Sequence, residues 1–173
     1  MRRAALVIER EPWRSYFLLA MLTGARRSAL ARMRWSDLDL EAATWRIPAE
    51  WSKNRRVLTV ALPTEAVSVL RRLHETRGAA EWVFPANSAT GHVQEPQKAW
   101  RRVLKQAGVE GAVLHDLRRT LGTTVAASGA GAAIISAVLG HMSSESAKSY
   151  VHLSAEMARE AVEQAARRIS GGT

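Results

Sequence analysis

Two short β-like runs inside an otherwise helical pattern restrict this chain more than any other feature. T-W-R-I-P, beginning at Thr44, and V-L-T-V-A-L, at 57–62, are rich in the β-branched and aromatic residues that favour a pleated surface. Between them stands W-S-K-N-R-R, so the two runs predict an antiparallel hairpin with Lys53, Arg55 and Arg56 on its tip. Pro12 marks a helix start, and W-R-S-Y-F-L-L-A-M-L follows as a buried helix that Gly24 ends. Ser28 is placed to cap a short second helix, A-L-A-R-M, so Arg26 and Arg27 fall at a helix junction. After the hairpin, Thr64 opens an amphipathic helix that closes near Gly78. W-V-F-P is a short extended segment before a polar loop over 86–95. Further helices are expected from about Pro96 to Gly108 and over 116–128, 132–139 and 155–169, with a short turn over 144–150. The expected fold class is α+β, mainly α, with one small antiparallel sheet.

A chain of 173 residues suits one domain with one core, and 1–173 is read as a single unit. No run approaches the roughly 18 consecutive apolar residues of a membrane span, and the first ten residues lack the apolar stretch of a secretory signal. A cytoplasmic protein with no membrane partner is the expectation. Cysteine is absent, which excludes disulfides, thiolate nucleophiles and Cys-based zinc sites. The formal charge is +9, and of 25 basic residues only Lys53, Lys98, Lys105 and Lys148 are lysines. Guanidinium matches phosphate geometry bidentately and keeps its charge, so the excess points to a nucleic-acid partner.

The chemistry concentrates in the stretch from Leu114 to His152. It reads L-H-D-L-R-R-T, then a small-residue helix, then V-L-G-H-M-S-S-E-S-A-K-S-Y-V-H. His115 and Arg118 are three apart at a helix start, so both reach one ligand beside the partial positive charge of the helix N-terminus. His141 follows L-G, and Tyr150 is flanked by small polar residues, unusual surroundings for a core tyrosine. His115, Asp116, His141 and His152 match no zinc-ligand spacing, so no metal site is assigned. His74 and His92 stand in polar, surface-type contexts and receive no role.

T-G-A-R-R-S-A-L-A-R-M-R-W-S-D-L-D-L, the lysine of S-K-N-R-R-V-L-T-V-A-L, H-D-L-R-R-T, and L-G-H followed by Y-V-H together resemble the tyrosine recombinases, the phage-integrase family. The four segments occur in the family's order and cover nearly the whole chain. The resemblance implies a nucleophile, Tyr150, that attacks a DNA phosphodiester to form a 3′-phosphotyrosyl bond and free a 5′-hydroxyl. It implies that Arg26 and Arg118 hold the non-bridging oxygens, that Lys53 is the general acid to the leaving oxygen, that His115 assists proton movement, and that His141 hydrogen-bonds the phosphate. Arg27, Arg55, Arg56, Arg119 and Lys148 are the expected DNA-contacting residues, double-stranded DNA is the partner, and no cofactor or metal is needed.

Two departures from the family pattern accompany the resemblance. Ala29 stands where members often carry an acid three positions after the first arginine, and few residues precede the first helix where members usually carry core-binding and arm-binding domains. An isolated catalytic domain is therefore expected, a monomer alone and part of a synaptic tetramer on DNA as a full-length protein. The alternatives are relaxation of the type IB topoisomerase kind and a non-catalytic DNA-binding remnant. The last helix carries an apolar stripe, for which packing on its own core is expected over docking on a neighbouring copy.

Overall fold

The computed structural model describes residues 11–52, 55–76, 78–139 and 151–171. Helix α1, Trp13–Thr23, lies at the centre. Its Tyr16, Phe17, Leu19, Ala20, Met21 and Leu22 are all buried, and Arg14 in the first turn is exposed, as expected of a helix with dense apolar positions. Glu11 accepts from both the backbone N–H and the hydroxyl of Ser15, at 3.3 and 2.7 Å, and so secures the first turn. Gly24 ends the helix in the left-handed conformation at φ 59, returning its N–H to the Ala20 carbonyl. An aromatic cluster fixes α1 to its surroundings: the Phe17 ring lies 5.0 Å from that of Trp100 and the Tyr16 ring 5.2 Å from that of Phe84.

Helix α2, Arg27–Ala31, follows at once. Its N-cap is Arg26, and no side chain caps it. Ser28 therefore sits inside the helix and is not its cap. The chain leaves the Gly24 turn so tightly that the first helical residue comes before the serine is reached.

Strands β1 (Leu38–Asp39), β2 (Thr44–Ile47) and β3 (Leu58–Ala61) form one antiparallel sheet in the order β1-β2-β3. Trp45 pairs with Val60 and Ile47 with Leu58. Along β2, Trp45 and Ile47 turn to the core and Arg46 to solvent, the period-two alternation of a half-covered sheet. A 3-10 turn, Ala49–Trp51, leads out of β2, and the Arg32 guanidinium lies over the Trp51 ring at 4.7 Å. That contact ties the base of the hairpin to the end of α2.

Helix α3, Thr64–Thr76, and helix α4, Pro96–Ala107, pack their apolar faces inward. On α4 these are Ala99, Trp100, Val103 and Leu104, while Lys98, Arg101, Arg102 and Lys105 face solvent. The loop between α3 and α4 departs from expectation at His92, which is buried. The Trp82 ring lies 4.8 Å from its imidazole, and its Nδ1 is hydrogen-bonded to the Val93 carbonyl at 2.9 Å. A polar-looking loop folds back on itself there through the Pro85–His92 bridge.

Helix α5, His115–Ala127, helix α6, Ala132–Val138, and helix α7, Val151–Ser170, complete the core. The last helix begins earlier than its apolar stripe implies. That stripe (Ala158, Ala161, Val162, Ala165, Ala166 and Ile169) is buried within the same chain, against α1, α5, α6 and β3. Three polar contacts hold α7 in place: Glu163 accepts the Thr64 N–H at 2.8 Å at the start of α3, Arg159 donates to the Ala42 carbonyl at 3.2 Å, and Ser170 donates to Glu65. A carboxylate at a helix N-terminus is favourable with respect to both hydrogen bonding and the helix dipole. Among the described residues, no helix is long and apolar enough to cross a membrane.

Candidate active site

The turn after α1 positions the first arginine. Thr23 donates to the Leu19 carbonyl at 2.7 Å and accepts the Ala25 N–H at 3.2 Å, and Gly24 supplies the left-handed turn. The chain reverses and leaves Arg26 half-buried at the start of α2, facing the start of α5.

On α5, His115 is the first helical residue and Arg118 lies one turn on. Asp116 folds the loop before the helix: it accepts the Val113 N–H at 2.8 Å and the Arg119 guanidinium at 2.9 Å. The Val113 amide above all, opposed by burial and seconded by Arg119, holds the Asp116 carboxyl below the usual carboxylate range. Arg119 is thereby engaged with a carboxylate on the outer side of the helix.

Arg118 is only 7% exposed. Its Nη1 donates to the Gly24 carbonyl and its Nη2 to the Leu139 carbonyl. Burial, and next the positive charge of Arg26, push its pKa down to about 10, which leaves it charged at neutral pH. A guanidinium this deeply placed is costly unless well bonded, and the two carbonyls fix its plane.

These side chains meet in one cleft of about 460 Å³, lined by Arg26, Arg27, Ser28, Gln97, His115 and Arg118 over an apolar floor that includes Tyr16 and Leu117. No carboxylate lines it among the described residues. A smaller cavity of about 20 Å³ lies on the other side of the arginine pair, where Arg26 and Arg118 meet Ala29, Trp51, Ser52 and Leu139. The sheet reaches this cavity through Ile47, Leu58 and Val60, and the turn after β2 reaches it through Ser52, the residue before Lys53 in the chain.

The structure therefore brings together Arg26, Arg27, His115 and Arg118 of the expected set. Arg55 and Arg56 are exposed on the hairpin and do not line the cleft. Lys53, His141, Lys148, Tyr150 and the turn over 144–150 lie outside the described residues. Ser28 and Gln97 add polar groups to the cleft beyond the expected set. Ser28 stands where the sequence suggests a cap, and Gln97 follows the proline that opens α4, a position no motif marks. The other tyrosine, Tyr16, is fully buried and donates to the Arg27 carbonyl at 2.8 Å. Burial raises its pKa far above the usual phenol range in spite of Arg27, so it is not poised for nucleophilic attack.

A mainly helical α+β domain with one small antiparallel sheet is the fold found in solved tyrosine recombinases. The integrase of mycobacterium phage Brujita superposes with a TM-score of 0.74 at 21% identity, over 94% of this chain and 54% of that one. The XerH site-specific recombinase bound to difH substrate superposes with a TM-score of 0.65 at 19% identity, over 90% of this chain and 50% of that one. In sequence, the prophage integrase IntF of Escherichia coli K12 is 32% identical over 137 residues, 79% of this chain. The family model described as the phage integrase family matches residues 7–157, and the chain belongs to that family. It spans 29% of the length of the E. coli relative and about half of the two solved chains.

Proposed function

We propose that this chain is the catalytic domain of a site-specific DNA recombinase that breaks and rejoins duplex DNA through a 3′-phosphotyrosyl intermediate. The observation that carries the reading is the pair Arg26 and Arg118 in a cleft lined by no carboxylate among the described residues. Two adjacent guanidinium groups repel each other until an anion sits between them. A phosphodiester passing through a pentacoordinate transition state gains negative charge, so preorganised cations stabilise that state more than the ground state.

In this reading the Tyr150 oxygen attacks phosphorus, the bond from phosphorus to the 5′-oxygen breaks, and Lys53 gives its proton to that leaving oxygen. Lysine suits the task because its pKa responds to surroundings, whereas guanidinium does not give up its proton. His115 assists proton movement at the tyrosine or the phosphate, and His141 hydrogen-bonds the scissile phosphate. The phosphotyrosyl bond conserves the energy of the broken ester, and attack by a 5′-hydroxyl reseals the strand. No metal or nucleotide cofactor enters. DNA as partner is supported by the Tn1549 transposon integrase, which shares this fold and is solved in complex with a circular intermediate DNA. The setting is the cytoplasm, and the isolated domain is a monomer that joins a synaptic tetramer as part of a longer integrase.

The reading is tested with a nicked suicide duplex in EDTA, scoring an SDS-resistant protein–DNA adduct. Wild type is expected to form the adduct and Tyr150→Phe to form none. An adduct that persists in Tyr150→Phe, or a wild type that needs a divalent metal, would sink the mechanism.

A further inference from the structure

Arg118 is oriented by two backbone carbonyls, and both belong to residues that touch one another through glycines. Leu139 ends α6, with its N–H bonded to the Ile135 carbonyl at 3.0 Å. Its side chain lies where two Cβ atoms would otherwise stand. A Cβ on Gly122, in the middle of α5, would come within 3.2 Å of Leu139 Cδ1, and one on Gly24 within 3.3 Å of Leu139 Cδ2. The isopropyl group is thus seated between the end of α1 and the third turn of α5. Contacts of 3.2 to 3.3 Å leave no room for an added methyl unless the leucine moves.

The carbonyl of the seated leucine accepts from Arg118 Nη2, and the carbonyl of Gly24 accepts from Nη1. The socket that locates Leu139 therefore also locates the guanidinium. In the family pattern an acid often stands at the position of Ala29; here Ala29 is buried and its methyl brings no charge to the small cavity beside Arg26 and Arg118.

We infer that Leu139, held between Gly24 and Gly122, is a positioning residue for Arg118, setting the plane in which that guanidinium meets the scissile phosphate. The inference rests on the proposed recombinase chemistry. Displacing Leu139 by a few tenths of an ångström tilts the guanidinium without removing any group that touches DNA. Electrostatic stabilisation depends on donors aimed where charge develops, so a tilt lowers the rate of cleavage and leaves duplex binding, which sums many contacts, largely intact.

Gly122→Ala is the test. Gly122 is not in the left-handed region, so the helix propensity gained by alanine offsets the cost of moving Leu139, and the thermal midpoint is expected to change little. At saturating suicide duplex, adduct formation should slow on the order of tenfold or more, with duplex affinity unchanged. Leu139→Val removes the crowded methyl groups, so the double variant Gly122→Ala/Leu139→Val should recover the rate of Leu139→Val alone. Wild-type cleavage by Gly122→Ala overturns the inference. So does a loss of rate that tracks a lowered midpoint and is not rescued in the double variant. Failure of the recombinase reading would be visible separately, as a wild type that forms no adduct. In that event the Arg118 Nε–H resonance, followed by nitrogen-15 NMR, still decides: it should shift in Gly122→Ala and return in the double variant, and an unmoved resonance refutes the positioning role.

Discussion

Of the two tyrosines of this chain, Tyr16 is closed off from phosphate chemistry by its surroundings. Tyr16 is enclosed by Trp13, Phe17 and Phe84, and its hydroxyl is spent on the Arg27 carbonyl. Burial favours the neutral phenol, so a phenolate there is disfavoured. Its work is structural, because holding the Arg27 carbonyl holds the first turn of α2 and hence the end of the helix from which Arg26 extends. Tyr16→Phe should therefore still form the covalent adduct. The Arg27 carbonyl loses its phenol donor, and the variant should lose about 1 kcal/mol of stability in urea unfolding. Abolition of the adduct with stability intact would transfer the nucleophile to Tyr16 and overturn the assignment of Tyr150.

At the scale of elements, the α1 end-turn does more than stop a helix. Gly24 has φ 59, and a Cβ there would come within 2.8 Å of Leu121 Cδ2 on α5. Gly108 ends α4 with a similar φ of 62 but faces open space. Alanine at either position incurs the left-handed penalty of about 1 kcal/mol. Only Gly24→Ala adds the overlap with α5, for a total of roughly 2–4 kcal/mol, and it should also displace a carbonyl that holds Arg118. Equal losses in chemical denaturation for the two variants would show that the α1–α5 approach is looser than these contacts require. Gly24 also marks what the sequence can and cannot disclose. Its role as a helix stop was legible, as were α1, α3, α4 and α5 from apolar spacing and the hairpin from its two β-rich runs. Its contact with Arg118, 94 residues away, was not, because backbone carbonyls leave no trace in residue identity. Ser28 misled for a related reason: a serine near a helix start resembles a cap wherever the true first turn lies. His92 misled because burial of a loop histidine depends on Trp82, ten residues earlier, folding over it. The family motifs made Arg26, His115 and Arg118 legible, but Gln97 joined them only through packing.

Across the whole molecule the formal charge of +9 would supply the proposed recombinase with a long-range attraction for DNA, yet its arginines are not equivalent. Arg27 is exposed, lines the cleft and makes no ion pair among the described residues. Arg119 is also exposed but is held by Asp116 at 2.9 Å, so it must give up a carboxylate before it can serve a phosphate. Each phosphate neutralised releases counterions and steepens the salt dependence of binding, by about 0.9 in the logarithmic slope for duplex DNA. Measured on one duplex over a salt series, Arg27→Ala should make the slope shallower by about 1, while Arg119→Ala should change it by clearly less than that. Surface ion pairs contribute at most about 1 kcal/mol, so this contrast depends on geometry more than on the strength of the Asp116 pairing. If the two variants flatten the slope equally, Arg119 leaves Asp116 when DNA arrives, and the phosphate-bearing surface extends outward from the cleft along α5. If only Arg27 matters, the backbone crosses this face close to the junction of α1 and α2, on the line that leads to Arg26 and Arg118.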